Sequence, residues 1–341
     1  MSAFAIPVMG EQRFLVLRMS ALGDIIHTLP AVCALRESFP NATIDWLIDQ
    51  KWVPILEGNP CINNVITMDR GSWRSVIAGV SHMRKAKYTT AIDFQSLYRS
   101  AILGWLSGAP QRLGFDANYS REGGAALFYT KVVSPWRAHK VEHNLELVEA
   151  TGARANEVRF PLSTAPEATV GVERILAEKG VGECFVLSPG GGWGSKCWPP
   201  ERYGELHRGL AKRYGWPGVI SFGPGESELA GSVRRNAGSP EPIVEAFNLK
   251  QLIALLRRAK FLVAGDTGPL HLASALGTPV VGLYGPTDPA RNGPYSPRDI
   301  VVRRARPEET TYRRGSTPSR AMRAISVEDV LDAVERRLKN A

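Results

Sequence analysis

Residues 261–289 read FLVAGDTGPLHLASALGTPVVGLYGPTDP, and their reading decides the fold. Two strand-length apolar runs, FLVAG and PVVGLYG, bracket a short segment with helical spacing. Uninterrupted apolar runs joined through a helix indicate parallel strands buried on both faces. Asp266, Thr267 and Gly268 fall where the first strand ends and the helix opens, with Pro269 suited to the first turn and His271 just inside it. The free N–H groups of such a helix start favour an anion. Asp266 and His271 can hydrogen-bond several hydroxyls, as a sugar would require. A helix cap at Asp266 or Thr267 with a packed His271 would explain one polar residue and leave the set unexplained.

The same alternation extends outward in both directions. Upstream, ECFVLSPGGG is a strand running into a glycine loop, 201–214 is helical, GVISFGPGESE is a strand and loop, PIVEAF is a strand, and 249–260 is a helix. A looser stretch before them, EVRFPLSTAPEATVG, reads as an interdomain linker. The first half repeats the scheme, with strands at FLVLRM, TIDWLID, NVITMD, YTTAIDFQ and QRLGFD and helices over 25–38, 75–87, 98–107 and 143–151. The predicted fold is α/β, with two Rossmann-like domains, 1–165 and 166–325, facing an interdomain cleft. A last amphipathic helix over 326–340 has Ser326 as N-cap and Asp329 three residues on.

The 341 residues suit two domains rather than one core. With 44% apolar and 22% charged residues, disordered and fibrous classes are excluded. No apolar run approaches the roughly 20 residues that span a bilayer, and MSAFAIPVMGEQRF lacks the features of a signal peptide. The four cysteines, without CxxC pairs or metal-ligand spacing, read as reduced thiols of a cytosolic protein. The net charge of +9 is concentrated. From Arg70 to Lys140 there are eleven Lys/Arg against three Asp/Glu, and from Arg303 to Arg323 seven Arg against two Glu. Such a field points to an anionic partner.

Three further loops fall at the carboxyl ends of predicted strands, where open α/β sheets bind ligands. SALGD, 20–24, opens the first helix and lacks the dinucleotide fingerprint. Asp24 in it is either a helix cap or a general base, and His27, one turn on, reads as structural. SPGGGWGSKCW, 188–198, exposes the backbone of Gly190, Gly191 and Gly192, and Lys196 adds a mobile point charge; this suits a diphosphate. In SFGPGESE, Glu226 can accept from a ribose diol or complement a helix dipole. No metal-site pattern is evident.

The pieces SALGDIIHTLP, YTTAIDFQSLYRSA, SREGGAALFY, KCWP and above all GDTGPLHLASALGTPVVGLYGPTDP resemble the lipopolysaccharide heptosyltransferases, in order from Phe14 to about Pro294. HTLPA at 27–31 is more similar to the heptosyltransferase I branch than to heptosyltransferase II. The resemblance implies a GT-B fold whose C-terminal helix, 326–341, crosses back to the first, acceptor-binding domain. It implies transfer from ADP-L-glycero-D-manno-heptose to the Kdo of Kdo-lipid A, with inversion and no obligatory metal or other cofactor. It makes Asp24 the general base and Lys196 the diphosphate lysine. Asp266, Thr267, Gly268 and His271 become the donor-sugar loop, Glu226 the ribose contact, and Phe247, by register, an adenine contact. Arg74, Arg99 and Arg121 would meet Kdo carboxylates and lipid A phosphates. The implied place of work is the cytoplasm, peripheral on an anionic inner membrane, with no nucleic acid. The chain departs from the family pattern in lacking a Cys before AMRAIS and in having only glycines at 190–192. The rivals are a sister enzyme with another acceptor, heptosyltransferase II included, a nucleotide-sugar epimerase and a basic nucleic-acid-binding module.

Overall fold

A computed structural model describes residues 11–69 and 71–340. Most of the N-terminal stretch read for a signal peptide lies outside the described residues. The chain divides into two units, up to Ser163 and from Thr164 onward, close to the expected boundary.

The first unit runs β1 (Arg13–Leu17), α1 (Leu22–Ser38), β2 (Thr43–Leu47), β3 (Asn64–Ile66), α2 (Trp73–Lys85), β4 (Thr90–Asp93), α3 (Tyr98–Leu106), β5 (Gln111–Phe115), β6 (Lys131–Val133) and α4 (Lys140–Glu149). Its sheet has the order β3-β2-β1-β4-β5-β6, with every pairing parallel. The order reverses between β1 and β4, which is where such sheets hold ligands. α1 is buried from Leu22 to Leu35 on nearly every side and packs against α4. His27 is buried on it, edge-on to His139, and the Asn144 amide donates to its carbonyl at 2.9 Å.

The second unit opens with α5 (Pro166–Glu178) and continues through β7 (Phe185–Ser188), α6 (Pro200–Tyr214), β8 (Gly218–Phe222), α7 (Ser227–Ala237), β9 (Ile243–Ala246), α8 (Leu249–Arg258) and β10 (Leu262–Gly265). Then follow α9 (Gly268–Leu276), β11 (Val280–Tyr284), α10 (Pro289–Asn292), β12 (Ile300–Arg303), α11 (Arg320–Ala324) and α12 (Val327–Lys339). Its parallel sheet has the order β12-β11-β10-β7-β8-β9, reversing between β7 and β10. The β10–α9–β11 register, Leu262 opposite Val280 through Gly265 opposite Leu283, is the parallel pair predicted from 261–285.

Three expectations are corrected. Part of the supposed linker is α5, with Pro166 at its first turn, where a missing N–H costs nothing. The last helix does not cross back. Val330, Ala333 and Val334 of α12 are buried in the second unit's core, and Leu331 lies over Gly209 of α6. Its apolar stripe is thereby covered within that unit. The cysteines are not all free: Cys33 on α1 and Cys61 are joined in a disulfide, Cα to Cα 5.1 Å, while Cys184 and Cys197 remain thiols. Spacing in sequence could not show a pair made by folding across 28 residues.

Candidate active site

Four loops of the second unit rise from the carboxyl ends of four adjacent strands. In sheet order, β10 delivers Asp266, β7 the glycine loop, β8 Glu226 and β9 Phe247. The glycine loop is not slack. A 3-10 turn over Gly194–Lys196 shapes it, and residues 315–319 brace it: Ser195 N–H donates to the Gly315 carbonyl at 3.1 Å and its hydroxyl accepts from Gly315 N–H. Lys196 is accordingly held rather than mobile. Its Nζ lies 2.6 Å from Asp266 Oδ2 and 4.3 Å above the Trp193 ring.

Asp266 is the hub. His271 Nε2 lies 3.2 Å from its Oδ1, and the Asn292 amide donates to its Oδ2 at 3.2 Å. Burial alone would raise the pKa of this carboxyl. The hydrogen bond with His271 and the charge of Lys196 outweigh burial and hold it below the ordinary carboxylate range. Asp266 therefore stays an acceptor-only carboxylate, its neighbours oriented around it.

Asp266 does not cap α9, and neither does Thr267, whose hydroxyl donates to the Gly265 carbonyl at 3.2 Å. The helix start carries no side-chain cap and remains suited to an anion. Gly268 is the first helical residue. The glycines allow close approach. A Cβ on Gly190 would sit 2.1 Å from Glu226 Oε2, and one on Gly191 3.1 Å from Thr267 Cγ2. Gly192 faces open space. Glu226 lies against Gly190 and accepts from Gly223 N–H at 2.8 Å, bracing its own loop. Phe247 is half-buried on the edge strand's loop; among the described residues no hydrogen bond or ring contact ties it to the Asp266 cluster.

In the first unit, Asp24 stands at the reversal point between β1 and β4. Its Oδ1 pairs with Arg18 Nη2 at 2.7 Å, and its Oδ2 accepts from Ala21 N–H at 3.4 Å. Arg18 is buried and also donates to the Phe94 carbonyl. Gln95 Oε1 accepts from the N–H groups of Met19 and Ser20 at 2.9 and 3.1 Å. Behind Gln95, Asp93 takes the N–H groups of Gln95 and Ser96 and the hydroxyls of Ser100 and Tyr129. The loop holding Asp24 is thus stapled to the loop after β4.

Arg74, Arg99 and Arg121 are all exposed on the first unit. The last two lie on joined segments: Glu122 accepts from Tyr98 N–H at 2.6 Å and donates its own N–H to the Ser96 carbonyl. Arg74 opens α2 and stacks its guanidinium 5.4 Å from the Trp73 ring. Among the described residues no group of three or more His, Cys, Asp or Glu comes together as a metal site.

Arg18, Gln95, Asn292 and Trp193 join these sites without having been singled out by the sequence. Asn292 carried the one readable signal, since it follows GPTDP by three residues on a helix that Asp288 caps and Pro289 opens.

The sequence profile of glycosyltransferase family 9 (heptosyltransferase) matches residues 78–320. The lipopolysaccharide heptosyltransferase 1 of Pseudomonas aeruginosa is 30% identical over 302 residues, covering 83% of this chain and 81% of the relative. Among solved structures, a family 9 glycosyl transferase from Veillonella parvula superposes with a TM-score of 0.82 at 24% identity, covering 97% of this chain and 98% of that one. The E. coli heptosyltransferase WaaC with ADP-2-deoxy-2-fluoro heptose superposes with a TM-score of 0.72 at 27% identity, over 97% of this chain and 100% of that one. The fold is of the GT-B class, two Rossmann-like units in one chain.

Proposed function

The chain belongs to glycosyltransferase family 9, the heptosyltransferases, and from that premise we propose that it moves L-glycero-D-manno-heptose from ADP-heptose to the Kdo of Kdo-lipid A. The observation that carries the donor half is the buried Lys196–Asp266–His271 cluster beside an uncapped helix start and a glycine loop. A diphosphate would lie against the loop amides, Lys196 and the start of α9. Asp266 and His271 would take sugar hydroxyls, Glu226 the ribose, and Phe247 the adenine.

In the reaction an acceptor oxygen attacks the anomeric carbon from the face opposite the diphosphate, so the configuration inverts. The new C–O bond forms as the bond to the β-phosphate oxygen breaks, and the electron pair leaves with ADP. The acceptor proton goes to Asp24. Arg18 pairs with that carboxylate and aims it. Charge developing on the leaving ADP is met by Lys196 and backbone N–H groups already in place. Arg74, Arg99 and Arg121 supply cations for the anionic headgroup of the acceptor. Because that acceptor is a glycolipid, the reaction takes place at a membrane surface, which we assign to the cytoplasmic face of the inner membrane. No helix among the described residues is long and apolar enough to cross it.

One geometric fact favours a second role for Asp24, since its Oδ2 faces Ala21 N–H as a helix cap does. Mass spectrometry of heptose transfer to purified Kdo-lipid A, with EDTA present, separates the readings. The wild type is expected to transfer, and Asp24→Asn to lose on the order of 10²–10⁴ in rate while remaining folded. Undiminished transfer by the variant would leave Asp24 a cap. Binding of ADP-heptose without transfer to this acceptor would move the assignment to a sister enzyme with another acceptor, heptosyltransferase II among them.

A further inference from the structure

The sheet order of the first unit sends β3 to β4, β4 to β5 and β5 to β6 in one direction. Right-handed crossovers therefore lay α2, α3 and the 3-10 turn over Gly123–Phe128 side by side on one face of the sheet. Their contacts agree: α2 meets α3, Arg84 Nε donates to the Leu106 carbonyl at 2.8 Å, and the Tyr98 ring lies on Gly124 of the turn.

The outer side of this layer is apolar where a solvated surface would be polar. On α3, Tyr98, Ile102 and Trp105 fall at i, i+4 and i+7, one stripe, and are 48%, 37% and 53% exposed. Its other side, Ser100, Ala101 and Gly104, is buried on the sheet. On α2, Trp73 and Ile77 lie one turn apart at 69% and 60%, and Leu127 on the turn is 88% exposed. A helix apolar on both sides is one whose outer side has a partner. The charges on the two helices are of one sign. α2 and α3 carry Arg74, Arg84, Lys85 and Arg99 and no Asp or Glu.

We infer that this face of α2, α3 and the 123–128 turn is the surface on which the protein lies against an anionic lipid bilayer, its Trp, Tyr, Ile and Leu side chains entering the headgroup boundary and its Arg and Lys meeting lipid phosphates. The chemistry favours this occupant over a protein partner. Trp and Tyr with aliphatic neighbours, set among cations and with no acid on either helix, suit an interface that is apolar beneath and negative at its edge. The inference deepens the proposed function, naming where a lipid-borne acceptor would be met, and rests on it only for that purpose.

The test needs neither donor nor acceptor, so it can fail independently of heptosyl transfer. Wild-type protein is sedimented with vesicles of phosphatidylglycerol and phosphatidylethanolamine, and with phosphatidylcholine alone, at low and high salt. We expect it to pellet with the anionic vesicles, less with the neutral ones, and to be weakened but not released by salt. The triple variant Ile102→Gln, Trp105→Gln, Leu127→Gln changes only exposed side chains, and is expected to bind anionic vesicles at least about tenfold more weakly, from the apolar area it withdraws. Its affinity for ADP, held by the second unit, should be unchanged. Wild-type protein that stays in the supernatant, or a variant that binds as well as wild type, overturns the inference. So does a wild-type dimer in sedimentation velocity that the variant dissolves without any vesicle binding, which would assign the face to a second copy of the chain.

Discussion

At the residue scale, the cluster proposed to hold the donor is built on one over-determined buried carboxylate. Asp266 has Lys196, His271 and Asn292 around it, and its charge survives burial through them. Removing Lys196 has two separable consequences. A diphosphate loses a charge-assisted contact of about 1.5–3 kcal/mol, so Lys196→Ala should bind ADP roughly 10- to 100-fold more weakly by calorimetry. Asp266 also loses part of what depresses its pKa. A carboxyl whose folded pKa lies below its unfolded value, about 4, stabilises the fold above that value and ceases to as pH falls through the folded pKa. The variant should therefore lose second-unit stability at a higher pH than wild type in acid titrations followed by circular dichroism. Equal acid midpoints would mean that His271 and Asn292 suffice. Asp266, Thr267, Gly268, His271, Lys196 and Glu226 could be singled out in the sequence because each lies in the loop or the first helical turn that follows an apolar run. Arg18 and Gln95 could not: the partners that define them, Phe94 and the Met19–Ser20 amides, lie 75 or 76 residues away in sequence, where no local pattern points.

At the scale of elements, the last helix shows what a pattern can and cannot say. Ser326 accepts from Asp329 N–H at 3.1 Å and Asp329 Oδ2 accepts from Ser326 N–H at 3.0 Å, the reciprocal cap expected from the sequence. Replacing Ser326 by Ala should lower stability by about 1 kcal/mol, read as a lower urea midpoint at unchanged slope. Asp329 also pairs with Arg304, whose hydrogen bond is the main cause that brings its pKa down to about 2. The cap therefore contributes fully above about pH 4 and fades as pH falls towards 2. Asp329→Asn should remove that step from helicity measured against pH. The stripe of α12 announced a buried face, yet no stripe names the surface that buries it, and the helix belongs to the second unit rather than the first. α5 went unread because its opening prolines and small residues resemble a linker. β6 and β12, three and four residues long, are sheet edges too short to carry a period.

At the scale of the whole molecule, each unit has its own sheet and apolar core, so acid need not affect them alike. The second unit contains His207, fully buried on α6 against Phe185, its Nε2 accepting from Gly218 N–H at 3.3 Å and its Nδ1 without a partner among the described residues. Burial drives its pKa down to about 4. For a histidine held neutral by folding, the unfolded chain takes up the proton first. Its stabilising contribution is therefore complete above the unfolded value, about 6.5, and is lost as pH falls from there to about 4, a change of at most about 3 kcal/mol. On the proposed reading ADP binds the second unit and so marks it. A ligand of the native second unit present at 100 times its Kd should stabilise that unit alone by about 2.7 kcal/mol. Calorimetric scans between pH 7 and 4 should then contain a transition that ADP raises, and the same transition should fall as the solution is acidified. In His207→Gln, which has no proton to take up in this range, the ADP-sensitive transition should begin lower at pH 7, because the packing against Phe185 is altered, but fall less between pH 6.5 and 4. An ADP-sensitive transition with the same acid slope in both proteins would show that carboxylates, and not His207, set the acid limit of this unit.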